Sequence, residues 1–242
     1  MKAVILAAGM GSRLQAILRG SPKPLLKVGG KSLLERSLDA ISKTNLGEVL
    51  LATGYNAEEV YQRVGKTHGK LKITHRINPQ FSATGSMHSL YLALGNPQDC
   101  IVLDGDIIYD PQILPEVIGN PKDNLVLLTD CCGSGDEVFV TLDPRGNVNY
   151  LGKPKPSSPT QYEFTGISRF SARFMEKMFE IHEGNMRREL KSDYYEDCAF
   201  KAGQEVPWAG FFKPGLLWAE IDTPENFKTV NDKLLPRLRD KE

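Results

Sequence analysis

The chain has 242 residues, 40% hydrophobic and 25% charged, which excludes disordered, collagen-like and disulfide-scaffold proteins and leaves room for one domain with a substantial core. Lys plus Arg and Asp plus Glu each number 30, so the net charge is zero and no global field favours nucleic acid or an anionic membrane. Apolar runs such as Ala3–Ala8 fall far short of the ~20 residues that span a bilayer, and the N-terminus leads into a glycine loop with no cleavage-site pattern.

Short β-rich runs at Ala3–Ala8, Val49–Thr53, Leu71–Thr74, Cys100–Leu103 and Leu125–Leu128 alternate with helical segments in the first half of the chain. Leu34, Leu38 and Ile41 stand at helical spacing, and Ala57–Val64 and Ser86–Leu94 supply two further crossovers. This alternation predicts βαβ units and an α/β fold, a Rossmann-like three-layer sandwich with a mostly parallel central sheet. Val138–Leu142, a turn at Asp143–Gly146 and Val148–Leu151 read as a hairpin within a small antiparallel insertion. Three prolines in Lys153–Thr160 make that stretch a loop. Helices follow at Ala172–Ile181 and Tyr194–Ala202, a strand near Leu217–Ile221, and a last helix that Thr223 caps with Pro224 at its first position. We expect one domain over 1–242, with a nucleotide-binding core at about 1–130 and 205–242 and an insertion at about 131–204.

The first strand ends in Leu6-Ala7-Ala8-Gly9-Met10-Gly11-Ser12-Arg13. Glycines there let backbone N–H groups close around phosphate oxygens; the alternative is a tight turn in which they only permit positive φ. The dinucleotide fingerprint does not fit, because its third glycine would fall on Leu14, and a Walker loop ending at Gly30-Lys31-Ser32 would need a glycine where Leu25 stands. The combination that remains, AAGMGSRL followed by Pro22-Lys23-Pro24-Leu25-Leu26 and Val28–Leu34, resembles the nucleotidyltransferase superfamily that makes nucleotide-sugars and CDP-alcohols. Only nine residues separate Arg13 from Lys23, as in its smaller cytidylyltransferase branch. "TGSMHSLYLA" and "SGDEV" are similar to the phosphocholine and 2-aminoethylphosphonate cytidylyltransferases.

That resemblance implies an enzyme that releases pyrophosphate while joining CMP from CTP to a small amine-bearing phosphonate or phosphate. It implies Arg13, Lys23 and Lys153 as catalytic cations, although Gly152 replaces the glutamate that usually precedes the last, and a solvated loop lysine is the other reading. Leu6, Ala7, Ala8, Gly9, Gly11, Ser12, Gly85, Ser86 and Asp104 would hold the nucleotide, with His88 a further contact. Asp104 could equally cap the next turn. Asp106, at the end of an apolar strand, and Asp222, in "EIDTPE", would hold Mg²⁺, a cation that takes hard oxygen ligands; Asp222 also has the position of a helix cap. Tyr194, Asp197, Trp218 and Glu220 would surround the acceptor's ammonium group, while the acids at Tyr194–Asp197 could also serve only a helix N-terminus.

Two rivals stand beside this reading: a sugar-1-phosphate or inositol-1-phosphate nucleotidyltransferase, and a catalytically silent nucleotide-binding domain. The partners expected are CTP and the acceptor, without nucleic acid or membrane insertion, and a homodimer stays open. Cys100, Cys131, Cys132 and Cys198 form no CxxC pair and suit a reducing cytoplasm.

Overall fold

The computed structural model describes residues 1–239. Cys100–Asp104, Lys2–Ala7, Glu48–Thr53 and Leu71–Ile77 lie side by side, in that order and all parallel, as the centre of a ten-stranded sheet. Their near-continuous apolar sequences suit burial on both faces. Along the first strand Ala3, Ile5 and Ala7 pack on one side and Val4 on the other.

Helices supply the two outer layers. Leu33–Ser42 buries Leu34, Leu38 and Ile41 against the side that holds Ile5, and Ala57–Val64 adds Val60. The former starts at a reciprocal cap between Ser32 and Glu35, worth about 1 kcal/mol. Ser86–Leu94, Ala172–Arg187 and Tyr195–Ala202 cover the opposite face through Met87, Leu90, Phe174, Met178 and Cys198. The three-layer α/β architecture with a mostly parallel centre follows the sequence pattern.

The antiparallel part departs from it in one respect. The hairpin Phe139–Leu142 with Val148–Gly152 forms as expected. Tyr162–Phe170, which the sequence pattern groups with the insertion, is instead a member of the main sheet. One of its edges carries Leu125–Thr129, with a register shift between Phe164 and Ser168. The other is shared: residues 167–170 pair with Cys100–Asp104, and residues 162–163 pair with the hairpin. Gly166, at φ 75°, lies where these neighbours part; a Cβ there would stand 2.5 Å from Asp104 Oδ2. The sheet therefore splits beside the carboxyl end of Cys100–Asp104, and the crevice at such a split is where open α/β sheets bind ligands.

A small ribbon brings the C-terminal segment to the same place. Trp218–Glu220 pairs antiparallel with Ile107–Tyr109, and the Ile221 amide donates to the Asp106 carbonyl at 3.0 Å. Among the described residues no helix is long and apolar enough to cross a membrane.

Candidate active site

Six charged side chains from distant parts of the sequence meet at the split. Lys23 is 6% exposed, on a short helical turn that Pro22 and Pro24 stiffen. Its Nζ donates to Asp106 Oδ2 at 2.7 Å and to Asp222 Oδ1. Burial works to discharge the ammonium, but the two carboxylates outweigh it and hold its pKa above the ordinary lysine value. Arg13 donates through Nη2 to Asp222 Oδ2 at 2.7 Å and through Nη1 to Asp136 Oδ2 at 3.1 Å. Lys153 donates to the other oxygen of Asp136. Each cation predicted from the sequence is thus paired with a carboxylate, and Asp136 bridges Arg13 and Lys153.

Asp106, Glu220 and Asp222 bring carboxylate oxygens within 4.8 Å of one another, the donor set a hard divalent cation requires. The cleft walls and then Asp106 and Asp222 push the Glu220 carboxyl well above its usual range, while Lys23 and Arg13 overcome the burial of Asp222 and hold it low.

Two recesses open on either side of this cluster. The smaller, of about 370 Å³, is lined by Leu6, Ala8, Gly9, Gly85, Ser86 and Asp104, with Tyr194, Glu196 and Glu220 on its far wall. Its shape depends on Gly85: the amide donates to the Lys191 carbonyl at 2.9 Å, and an added Cβ would stand only 2.0 Å from the Asp193 carbonyl oxygen. Ser86 Oγ accepts from the Tyr195 amide at 2.9 Å, so the turn that opens one helix is tied to the start of another. Burial, then Asp106, Glu196 and Glu220, raise the Asp104 carboxyl far above its ordinary value. The larger recess, of about 740 Å³, runs from Arg13, Asp136 and Asp222 past Trp218 to Val230, Leu234 and Arg237. Trp218 Nε1 donates to the Thr165 carbonyl at 2.8 Å, which fixes the indole in the wall.

Several expected residues stand elsewhere. Ala7 is 1% exposed and packs on the opposite face of the sheet, as the alternation of a strand requires, and Gly11 and Ser12 belong to the turn that carries Arg13 without lining either recess. Asp197 is exposed and lines neither recess; the neighbouring Glu196 lines the smaller one, because Tyr195, Cys198 and Ala199 take the buried side of that helix. Burial and then the nearby Asp197 and Asp106 push the Glu196 carboxyl up to about 7. His88 engages His182 at 3.0 Å, which in turn meets Asp193 at 3.0 Å, so this histidine joins a structural relay behind Gly85. Glu163, unmarked by the sequence reading, lines the larger recess from the strand Tyr162–Phe170. Its only sequence signal is a lone charge among Tyr162, Phe164 and Ile167.

A hydrogen-bonded set of acids and cations thus stands between two recesses. The chain belongs to the MobA-like NTP transferase domain family, whose model matches residues 3–138. It is 26% identical to the CMP-5'-(3-aminopropyl)phosphonate synthase of Streptomyces rubellomurinus over 98% of its own length and 39% of that protein. It is 29% identical to the bifunctional protein GlmU of Methanococcus aeolicus over 99% of its length and 56% of that protein. The chain therefore spans about half the length of these relatives. The inositol-1-phosphate CTP transferase of T. maritima shares its fold, with a TM-score of 0.79 at 17% identity over 99% of this chain and 95% of that one.

Proposed function

We propose that the chain is a Mg²⁺-dependent cytidylyltransferase that transfers CMP from CTP to a small amine-bearing phosphonate or phosphate and releases pyrophosphate. 2-Aminoethylphosphonate ranks first as acceptor, and phosphocholine or phosphoethanolamine second. The observation that carries this reading is the Asp106–Lys23–Asp222–Arg13 cluster standing between two recesses. The similarity to an aminoalkylphosphonate CMP synthase over nearly the whole chain supports the acceptor class.

In this reading the nucleoside lies in the recess at Gly85 and Ser86, and the acceptor lies in the recess at Trp218. An acceptor oxygen attacks the α-phosphorus, the new P–O bond forms as the bond to the β-phosphate oxygen breaks, and pyrophosphate leaves with that electron pair. The nucleophile is already anionic, so no side chain has to remove a proton. Lys23, Arg13 and Lys153 offset the charge of two converging anions and hold them in reach, the positional and electrostatic contribution that phosphoryl-group transfer needs. Asp106, Asp222 and Glu220 would hold the divalent cation, which supplies charge neutralisation at the phosphates. The free cysteines suit a reducing compartment.

The test is pyrophosphate release across CTP, UTP, ATP, GTP and dTTP, each crossed with 2-aminoethylphosphonate, phosphocholine, phosphoethanolamine, glucose-1-phosphate and inositol-1-phosphate, with and without EDTA. We expect turnover with CTP and an amine-bearing acceptor, abolished by EDTA and restored by Mg²⁺. Turnover confined to a sugar or inositol phosphate would replace the acceptor assignment, and nucleotide binding without turnover would favour a silent domain.

A further inference from the structure

The acids of the larger recess do not share one electrostatic condition. Asp136 and Asp222 each meet a lysine or arginine. Glu163 lines the same recess at 4% exposure, and among the described residues no lysine, arginine or histidine lies within ion-pair distance of it. One of its oxygens accepts from the Cys132 amide at 2.7 Å, and the other has only the Cys132 thiol, at 3.4 Å. Glu137 is buried beside it and is already engaged by backbone amides, including that of Gly135 at 2.9 Å. A buried carboxylate without a counter-charge is costly, and an incoming cation removes that cost while gaining a charge-assisted hydrogen bond.

The strand fixes where this weakly engaged oxygen stands. Glu163 is held in the ladder between Thr129 and Phe139, so its position does not depend on a mobile loop. Trp218 is in the same recess, and Arg13, held to Asp222, is at the end nearest the transfer site. The recess thus has a cationic end for a phosphonate or phosphate and an anionic wall for a positive group.

We infer that Glu163 is the specificity-determining residue for the acceptor: it receives the ammonium group of a phosphonate or phosphate whose anionic end lies at Arg13 and Lys153. This rests on the cytidylyltransferase reading above and moves the ammonium partner away from the two acids expected from the sequence. Asp197 is outside the recess, and Glu220 belongs with the oxygens that suit a divalent cation. A metal ion at Cys132, Glu137 and Glu163 is the less suitable occupant. Burial and the adjacent Glu163 keep the Cys132 thiol protonated, and Glu137 is saturated by amides.

The test compares 2-aminoethylphosphonate with ethylphosphonate, which has the same phosphonate and carbon chain without the amine, in wild type, Glu163→Gln and Glu163→Asp. We expect wild type to prefer the amine in kcat/KM. Glu163→Gln should reduce that preference by about 10- to 100-fold, the range for losing a buried charge-assisted contact, and leave CTP KM and ethylphosphonate turnover near wild type. Glu163→Asp should fall between. An undiminished preference in Glu163→Gln overturns the inference and leaves the enzyme assignment standing. A wild type with no preference for the amine overturns the acceptor class and the inference together. If Glu163→Gln fails to fold by circular dichroism, Glu163→Asp decides: a partial loss of preference supports the role, and an unchanged one overturns it.

Discussion

In the proposed reaction Arg13 and Lys153 offset the charge of both converging phosphate groups, and Asp136 pairs with both cations, so replacing it with Asn should tighten nucleotide as well as acceptor binding. The three side chains are 55%, 51% and 49% exposed for Arg13, Asp136 and Lys153. Ion pairs that open to solvent are worth about 0.2–1 kcal/mol each. Two such pairs must be broken before both cations face the substrate, which amounts to about 0.4–2 kcal/mol, or roughly 2- to 25-fold in affinity at 1.4 kcal/mol per decade. Initial-rate pyrophosphate release, with Mg²⁺·CTP varied at saturating acceptor, should therefore show a lower CTP KM for Asp136→Asn by a factor in that range. The advantage over wild type should shrink in 0.5 M salt, because screening weakens exposed pairs. A KM that stays unchanged or rises would refute the reasoning and make Asp136 a positive contributor to binding.

Two further outcomes follow from burial. Gly85→Ala should unfold about 2–10 °C below wild type in a thermal melt, since its Cβ would stand 2.0 Å from the Asp193 carbonyl and overpacking of this kind costs about 1–3 kcal/mol; an unchanged melt would mean that the Lys191–Asp193 segment yields freely. Glu196→Gln should change how stability varies with pH. The native carboxyl titrates at about 7 and the unfolded one near 4.5, so between these values the native state holds more protons and wild-type stability falls as pH rises. Glu196→Gln should lack that decline, being more stable than wild type at pH 7.5 and similar at pH 4; parallel curves across this window would show that Glu196 is solvated.

The parallel core was legible because its signals are local. Strands buried on both faces read as apolar runs, and the helix at Leu33–Ser42 announces itself through the spacing of Leu34, Leu38 and Ile41 and the cap at Ser32. The convergence of Arg13, Lys23, Asp106 and Asp222 was legible only through resemblance, since 209 positions separate Arg13 from Asp222 and the ribbon joining Ile107–Tyr109 to Trp218–Glu220 leaves no sequence pattern. Glu196 was missed in favour of Asp197 because two adjacent acids on a helix differ only in which side the packing buries. Glu163 escaped because a single glutamate in an apolar strand carries no motif. Its character comes from Cys132 and Glu137, which the fold brings beside it.

In the proposed complex the strand Tyr162–Phe170 also acts as a length gauge. Glu163 and Gly166 stand three residues apart on it, and Gly166 packs on Asp104 in the wall of the smaller recess. A one-residue slip of this strand would turn Glu163 to the opposite face of the sheet, so sliding cannot shift Glu163 along the recess in small steps. An acceptor one carbon longer or shorter would have to be matched by changing the side chain at position 163 while the Asp104 end stays in place.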